Sequence, residues 1–268
     1  MAIALTAGMR SNLIALQNVD SMMQTTQNRL STGKKVNSAL DDPVNFFKAE
    51  DHYNRASDLS AKKDGMNEAI KTIEAANTGI EKIEDLLAQM KSLAQAAKTS
   101  TNTADLADQF DAIRSQVAFM ADDSSYGGQN LLDGDSLSVE FNEDGSNTLS
   151  VAGFSATSTG RVASVTIAVA NFSSNSSIES GAVSEIDAAI TQLRTESQKL
   201  SSSLSTIQIR ADFTTEMTNT LNTGADNLTL ADMNEEGANM LMLQTRQNLG
   251  TTSLSLASQA AQAVLQLF

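Results

Sequence analysis

The sequence predicts a mainly α fold: a long antiparallel, coiled-coil-like helical rod, its N- and C-terminal helices paired, with a small β-hairpin region at mid-chain. Three observations predict it. Apolar residues recur three and four apart over most of the chain, and every second residue only within 137–169. Aromatic residues are 4% of the chain, Trp is absent and Pro occurs once, which suits long helices packed side by side. The segments also run in a near-palindrome, from neutral helix, connector and long seam, through strands, to long seam, connector and neutral helix. Both termini are therefore expected at one end of the rod.

Residues 1–30 place Met9, Leu16, Met23 and Leu30 seven apart, with Leu13 at an intermediate position. Asp20 and Gln27 fall at the other intermediate positions and weaken the heptad. Residues 31–43 read as a connector in which Gly33 ends the first helix. Asp41 or Asp42 can cap the free amides of the next helix, and Pro43 suits its first position because no N–H is needed there. From Pro43 to about Lys98, Met66, Ala69, Ile73, Ala76, Ile80, Ile83, Leu87, Met90, Ala94 and Ala97 alternate three and four apart without a miss. At about 1.5 Å per residue such a helix is roughly 80 Å long. Gly65 and Gly79 lie inside it, each costing about 1 kcal/mol against Ala and permitting a local bend.

Thr99–Thr103 reads as a turn, after which Leu106, Phe110, Ile113, Val117 and Met120 form a shorter seam folding back on the first. It ends in DDSSYGGQNLLDG, rich in turn formers. Leu137, Val139 and Phe141 then alternate, Asn142–Asn147 supplies an Asp-Gly turn, and Leu149 and Val151 alternate again, predicting a β-hairpin. Val162, Val165, Ile167 and Val169 predict another strand, and the Ser-rich Asn171–Ser177 an exposed loop. From about Gly181 to Asn222 the helical seam returns at Val183, Ile186, Ile190, Leu193, Leu200, Leu204, Ile207, Ala211 and Leu221, weakened by Ser197, Thr214 and Thr218. TGADN at Thr223–Asn227 is expected to break it.

The last 38 residues carry no charge after Arg246, yet Leu254, Ala257, Ala261, Val264 and Phe268 fall on one helical stripe. Polar residues interrupt the stretch too often for a bilayer span, which wants about 20 mostly apolar residues. A weakly apolar helix without charge on its wet face suits burial among other helices, and copies of the same chain are the natural partners. The two ends are complementary in charge. Arg10, Arg29, Lys34 and Lys35 oppose Asp20 alone in residues 1–35, and Asp226, Asp232, Glu235 and Glu236 oppose Arg246 alone in 226–268.

A net charge of -14 argues against nucleic acid, whose binders carry basic stripes. The absence of Cys excludes disulfides and thiolate metal sites. The N-terminus lacks a basic stretch followed by an unbroken apolar core, so export would need a route that leaves the mature sequence uncut. His52 is the sole histidine, which denies the chain any site built from two. Asp41-Asp42 is explained by capping, and the Asp- and Glu-rich turns at 133–135 and 143–145 lack the spaced ligands of a Ca²⁺ loop. The Met-rich Asn239–Gln244 reads as interface packing rather than a ligand groove. No residue set qualifies as an active site, so no enzyme, cofactor, metal or membrane function is expected.

The stretch RLSTGKKVNSALDDPVNFFKAE (Arg29–Glu50) closely resembles the signature of bacterial flagellins. Leu249–Phe268 resembles a flagellin C-terminus, and Tyr126–Gly134 (YGGQNLLDG) the segment closing the N-terminal helical region. The DDP-NFF variant and the short middle look alphaproteobacterial. The resemblance implies a subunit of the extracellular flagellar filament, exported through the flagellar type III apparatus. Its partners would be copies of itself or sister flagellins, an export chaperone, the filament cap and hook-associated proteins. It further implies an inner-tube D0 domain from residues 1–32 and 225–268, D1 helices at 33–134 and 181–224, and at 135–180 only a strand tip and Ser-rich loop. Where many relatives carry a motif like QRxRELA for Toll-like receptor 5, this chain has Ala88–Ala94, with Gln89 in place of an Arg and Ser92 of a Glu; weak or absent recognition is expected. Ser173, Ser174, Ser176 and Ser177 are candidates for O-glycans. The rival readings are a hook–filament junction protein of the same architecture and a secreted coiled-coil effector or adhesin.

Overall fold

The computed structural model describes residues 7–157 and 160–265. Its long helices are α1 (Ala7–Thr32), α2 (Pro43–Ala97), α3 (Thr103–Asp123), α5 (Ser184–Thr229) and α6 (Met233–Leu265). Two small antiparallel sheets lie between α3 and α5 in sequence: β1 (Ser136–Glu140) with β2 (Thr148–Ala152), and β3 (Arg161–Val162) with β4 (Val165–Thr166). The chain divides into two compact units, one of residues Met1–Asn54 and Thr220–Phe268, the other of Arg55–Asn219.

The second unit is built on the α2 seam. Met66, Ile73, Ile80, Ile83, Leu87 and Met90 are all buried, as are Ala69, Ala76, Ala94 and Ala97 between them. From α5, Ile186, Leu193, Leu200 and Ile207 are buried in the same core, with Ile190 and Leu204 partly buried against it. The two helices run antiparallel: Lys91 pairs with Asp187 at 2.5 Å and Arg194 with Glu84 at 3.7 Å. From α3, Phe110, Val117 and Ala121 enter the core, with Ile113 partly buried. Met120, expected in that seam, is 37% exposed. An α-helix turns slightly less per residue than a strict seven-residue repeat requires, so the buried stripe drifts to later residues, here Ala121.

The hairpin forms as the alternation predicts. Leu137 pairs with Val151 and Val139 with Leu149, the Asp-Gly turn places Gly145 at φ 67°, and Asn142 Oδ1 accepts from Asn147 N–H at 3.0 Å. Glu140 and Glu143 pair with Lys62 and Arg55, both on α2. Asn130 organises the preceding segment. Its Nδ2 donates to the C=O of Ala121 at 2.8 Å and Asp122 at 3.0 Å, satisfying the end of α3, while Leu131 and Leu132 are buried.

Three expectations are corrected here. Val162, Val165, Ile167 and Val169 form no single strand: the chain reverses at Ala163 (φ 53°), so β3 and β4 make a tight hairpin with Val162 and Ile167 buried and Val169 exposed. Asn171–Ser177 is not wholly loop. Phe172 is buried edge-on to Phe110, with ring centroids 5.5 Å apart, and Ser174 accepts from Ser177 N–H to cap a short helical turn, α4 (Asn175–Ser177). A π-helical turn at Ile178–Val183 joins α4 to α5. Finally, TGADN does not break α5, which continues to Thr229.

The reason for that continuation lies in the first unit. Ala225 is fully buried, and Tyr53 on α2 donates to Asp226 at 2.7 Å. Such contacts outweigh the about 1 kcal/mol that Gly224 costs the helix. The break falls instead at residues 230–232, where Asp232 accepts from Asn234 and Glu235 N–H to cap α6. The two connectors are laced together, with Lys35 N–H donating to Thr229 C=O at 2.7 Å and Ala231 N–H to Gly33 C=O at 2.9 Å.

Candidate assembly interface

The neutral terminal helices α1 and α6 pair antiparallel. Three contacts set the register: Arg29 Nη1 donates to Glu236 Oε1 at 3.0 Å, Asn12 Nδ2 donates to Ser253 Oγ at 3.3 Å, and Leu16 fills the space beside Gly250. A Cβ on Gly250 would stand 2.7 Å from Leu16 Cδ2, so only glycine admits this leucine without displacement. Stepping by heptads brings Met23 level with Leu243 and Met9 level with Ala257; Met9 and Leu243 are buried. The charge complementarity of the two ends is realised at Arg29–Glu236, where the Glu236 side chain retains 9% of its exposure.

Apart from Arg29, which pairs with Glu236, the at least partly buried face of α1 is Met9, Asn12, Leu16, Val19, Met23, Thr26 and Leu30. The heptad positions are those read from the sequence, but the intermediate residue lies one place earlier. Leu13 is 41% exposed, and Asn12, Val19 and Thr26 take the positions assigned to Leu13, Asp20 and Gln27. Apolar spacing missed this face because two of its members are polar; Val19 beside the unsuitable Asp20 was the available signal. On α6, Leu254 and Ala257 are partly buried. Phe268 lies outside the described residues, as do the side chains of Ala261 and Val264.

Away from the seam, the pair displays apolar side chains to solvent. Ile14 and Met22 on α1, and Leu241, Met242, Leu249 and Leu256 on α6, are all exposed, Leu249 to 66%. No Lys, Arg, Asp or Glu follows Arg246 to separate them. Apolar side chains exposed in this way mark a surface suited to contact.

The connector that leads from α1 into α2 is held by its two carboxylates. Asp41 Oδ2 accepts from Asn37 and Ser38 N–H, both at 3.0 Å, and Asp42 Oδ1 accepts from Val44 and Asn45 N–H, both at 3.1 Å. Asp42 therefore caps α2, and Asp41 caps the turn before it. Backbone donation from Asn37 and Ser38 holds the Asp41 pKa below its ordinary value, and donation from Asn45 does the same for Asp42. Tyr53 is shifted upward because its phenol donates to Asp226.

The other residues singled out from sequence fall as follows. Gln89 and Ser92 are exposed on the same face of α2. Ser173 is exposed; Ser174 is occupied as the α4 cap and bonds Ser177 Oγ at 2.9 Å; the Ser176 side chain is outside the described residues. Among the described residues, no group of three or more His, Cys, Asp or Glu is arranged to hold a metal, and no helix is long and apolar enough to cross a membrane.

Comparison with known proteins agrees with this arrangement of helical ends. The family profile for the bacterial flagellin N-terminal helical region matches residues 5–136, and that for the C-terminal helical region matches residues 182–268. Flagellin FljK of Caulobacter vibrioides is 34% identical over 275 residues, covering 96% of this chain and 95% of that one. Flagellin FljM of the same organism is 32% identical over 271 residues, with the same shares covered. A flagellin of Brucella melitensis is 27% identical over 273 residues, covering 96% of each chain. A crystal structure of Bacillus cereus flagellin is similar with a TM-score of 0.47 at 18% identity, covering 56% of this chain and 88% of that one. The two profiles together span most of the sequence, and the chain belongs to the bacterial flagellin family, of the alphaproteobacterial type.

Proposed function

We infer that this flagellin is a structural subunit that polymerises with copies of itself and with sister flagellins into the extracellular flagellar filament, and that it turns over no substrate. The observation that carries the reading is the pair of sparsely charged terminal helices, joined in register and still exposing Leu241, Leu249 and Leu256. Contacts between unlike faces of identical subunits generate a helical polymer when the repeated rotation does not close into a ring. Purified monomer should extend sheared filament seeds into filaments visible by negative-stain microscopy. Seeds that stay unextended would favour a junction protein; monomers that ignore seeds and bind a host surface would favour an effector or adhesin.

Finer assignments follow from the same reading. Residues 1–32 and 225–268 form the inner D0 layer, 33–134 and 181–224 the D1 layer, and 135–180 the outermost strands and loop. The chain leaves the cell unfolded through the flagellar type III apparatus, with an export chaperone, and assembles beneath a cap on hook-associated proteins. Gln89 and Ser92 provide no charge-assisted hydrogen bonds, so a reporter-cell assay should register little or no Toll-like receptor 5 activation. Of the four candidate serines, Ser173 is exposed without a capping role and is the favoured O-glycan acceptor. Intact-mass analysis of native filaments with and without Ser173→Ala tests this, an unchanged glycan mass counting against it.

A further inference from the structure

Two features of the first unit lack a counterpart among the described residues. One is a projecting apolar edge. The turn pinned by Asp41 holds Leu40 96% exposed, and Val44 and Phe47 continue the edge at 61% and 57%. Asp41 Oδ2 also accepts from the Ser38 hydroxyl at 3.2 Å, so three hydrogen bonds immobilise a turn whose central leucine touches almost nothing. An apolar group already held in place loses little conformational freedom on docking.

The other feature is a groove of about 400 Å³ between α1 and α6, lined by Met22, Met242, Leu243, Arg29, Glu236 and Arg246. Arg29 and Glu236 neutralise each other. Among the described residues Arg246 makes no ion pair or hydrogen bond, so the groove combines two half-exposed thioethers and several polar side chains with one uncompensated cation. Unbranched Met side chains adapt to varied apolar shapes.

The edge carries what the groove lacks: two carboxylates beside three apolar side chains. We propose that the Leu40–Phe47 edge of one copy seats in the Met22–Met242 groove of a second copy, the apolar side chains against the thioethers and Asp41 and Asp42 facing Arg246. This rests on the filament reading and names the contact. Asp41 Oδ1 remains free to accept, and backbone donation keeps both carboxylates ionised to unusually low pH. The edge and the groove are different surfaces of one subunit, so each copy offers a free groove after using its edge. Repeated from copy to copy, such an edge-to-groove contact extends a chain of subunits whenever the two surfaces do not engage reciprocally.

The chain contains no Cys, which makes a cross-linking test specific. Leu40→Cys and Met242→Cys replace exposed side chains and should leave the monomer's circular dichroism unchanged. The two single variants, mixed equally, polymerised and treated with a mild thiol oxidant, should give a disulfide-linked dimer of one of each. Its yield should exceed that from either variant alone, or from the dispersed mixture, by about tenfold. In parallel, Arg246→Glu and Leu40→Ser should each raise the critical concentration for polymerisation by about tenfold, the order expected for exposing one leucine at a contact. Normal filaments without the mixed dimer, or with unchanged critical concentrations, overturn the proposed contact and leave the filament reading standing. Failure of the unaltered chain to extend seeds overturns the filament reading itself.

Discussion

Gly65 and Gly79 both interrupt α2, yet their surroundings differ. Nothing lies within 4 Å of a Cβ placed on Gly65, whereas one on Gly79 would stand 2.2 Å from Ser124 Oγ and 2.8 Å from Ser124 Cβ. Gly65→Ala should therefore stabilise the second unit by about 0.5–1 kcal/mol through helix propensity, while Gly79→Ala should destabilise it by about 1–3 kcal/mol through overpacking. Urea unfolding followed by circular dichroism measures both, and equal shifts of the midpoint would contradict the assignment. The acid response of the connector rests on Asp41. Its folded pKa is depressed below 3.8 by the Asn37 and Ser38 N–H groups, so its stabilising contribution is complete above the unfolded value and lost as pH falls through the folded one. Asp41→Asn should flatten that acid limb, read as first-unit unfolding while the pH is lowered from neutrality through the acid range in the two proteins.

The α2 seam was legible residue for residue because one face of a long helix meets one apolar core, and apolar spacing then records the contact directly. Ile80 is 1% exposed at its centre. Ile80→Asp buries an unpaired carboxylate there and should cost roughly 3–5 kcal/mol, unfolding the second unit at ordinary temperatures. A variant with wild-type helicity and melting temperature would refute that role. The seam between α1 and α6 was only half legible, because Asn12, Thr26, Glu236 and Gly250 sit within or beside it and none is apolar. What qualifies them is the partner: a serine for Asn12, an arginine for Glu236, a leucine for the space at Gly250. Gly250→Leu should accordingly separate the pair locally and slow filament growth in the seeding assay, with the melting of the second unit unchanged.

For the molecule as a whole, the division into two compact units lets folding and assembly be tested separately. Deleting residues 257–268 removes no residue of the second unit, so the truncated chain should remain helical, melt normally in that unit and fail to extend seeds. Normal filaments from it would contradict the assembly role of α6. In the monomer, α6 contacts α1 while Leu241, Leu249 and Leu256 face water, so its amides should exchange faster than those of α2 and gain protection on polymerisation.

The mainly helical class, the mid-chain hairpin and the family were all present in the order of residues. Helical periodicity, a turn's Asp-Gly and a signature such as RLSTGKKVNSALDDP are local properties of a chain, and local properties survive in a string of letters. Where helices end was a different matter. TGADN favours a break, but Ala225 and the Tyr53–Asp226 bond carry α5 through it, and the connectors then pair where no periodicity marks them. The face used by a neutral helix was likewise open. Rotating α1 by one residue changes its intrinsic energy little, so packing against α6 selects Asn12 over Leu13 and leaves Leu13 outward.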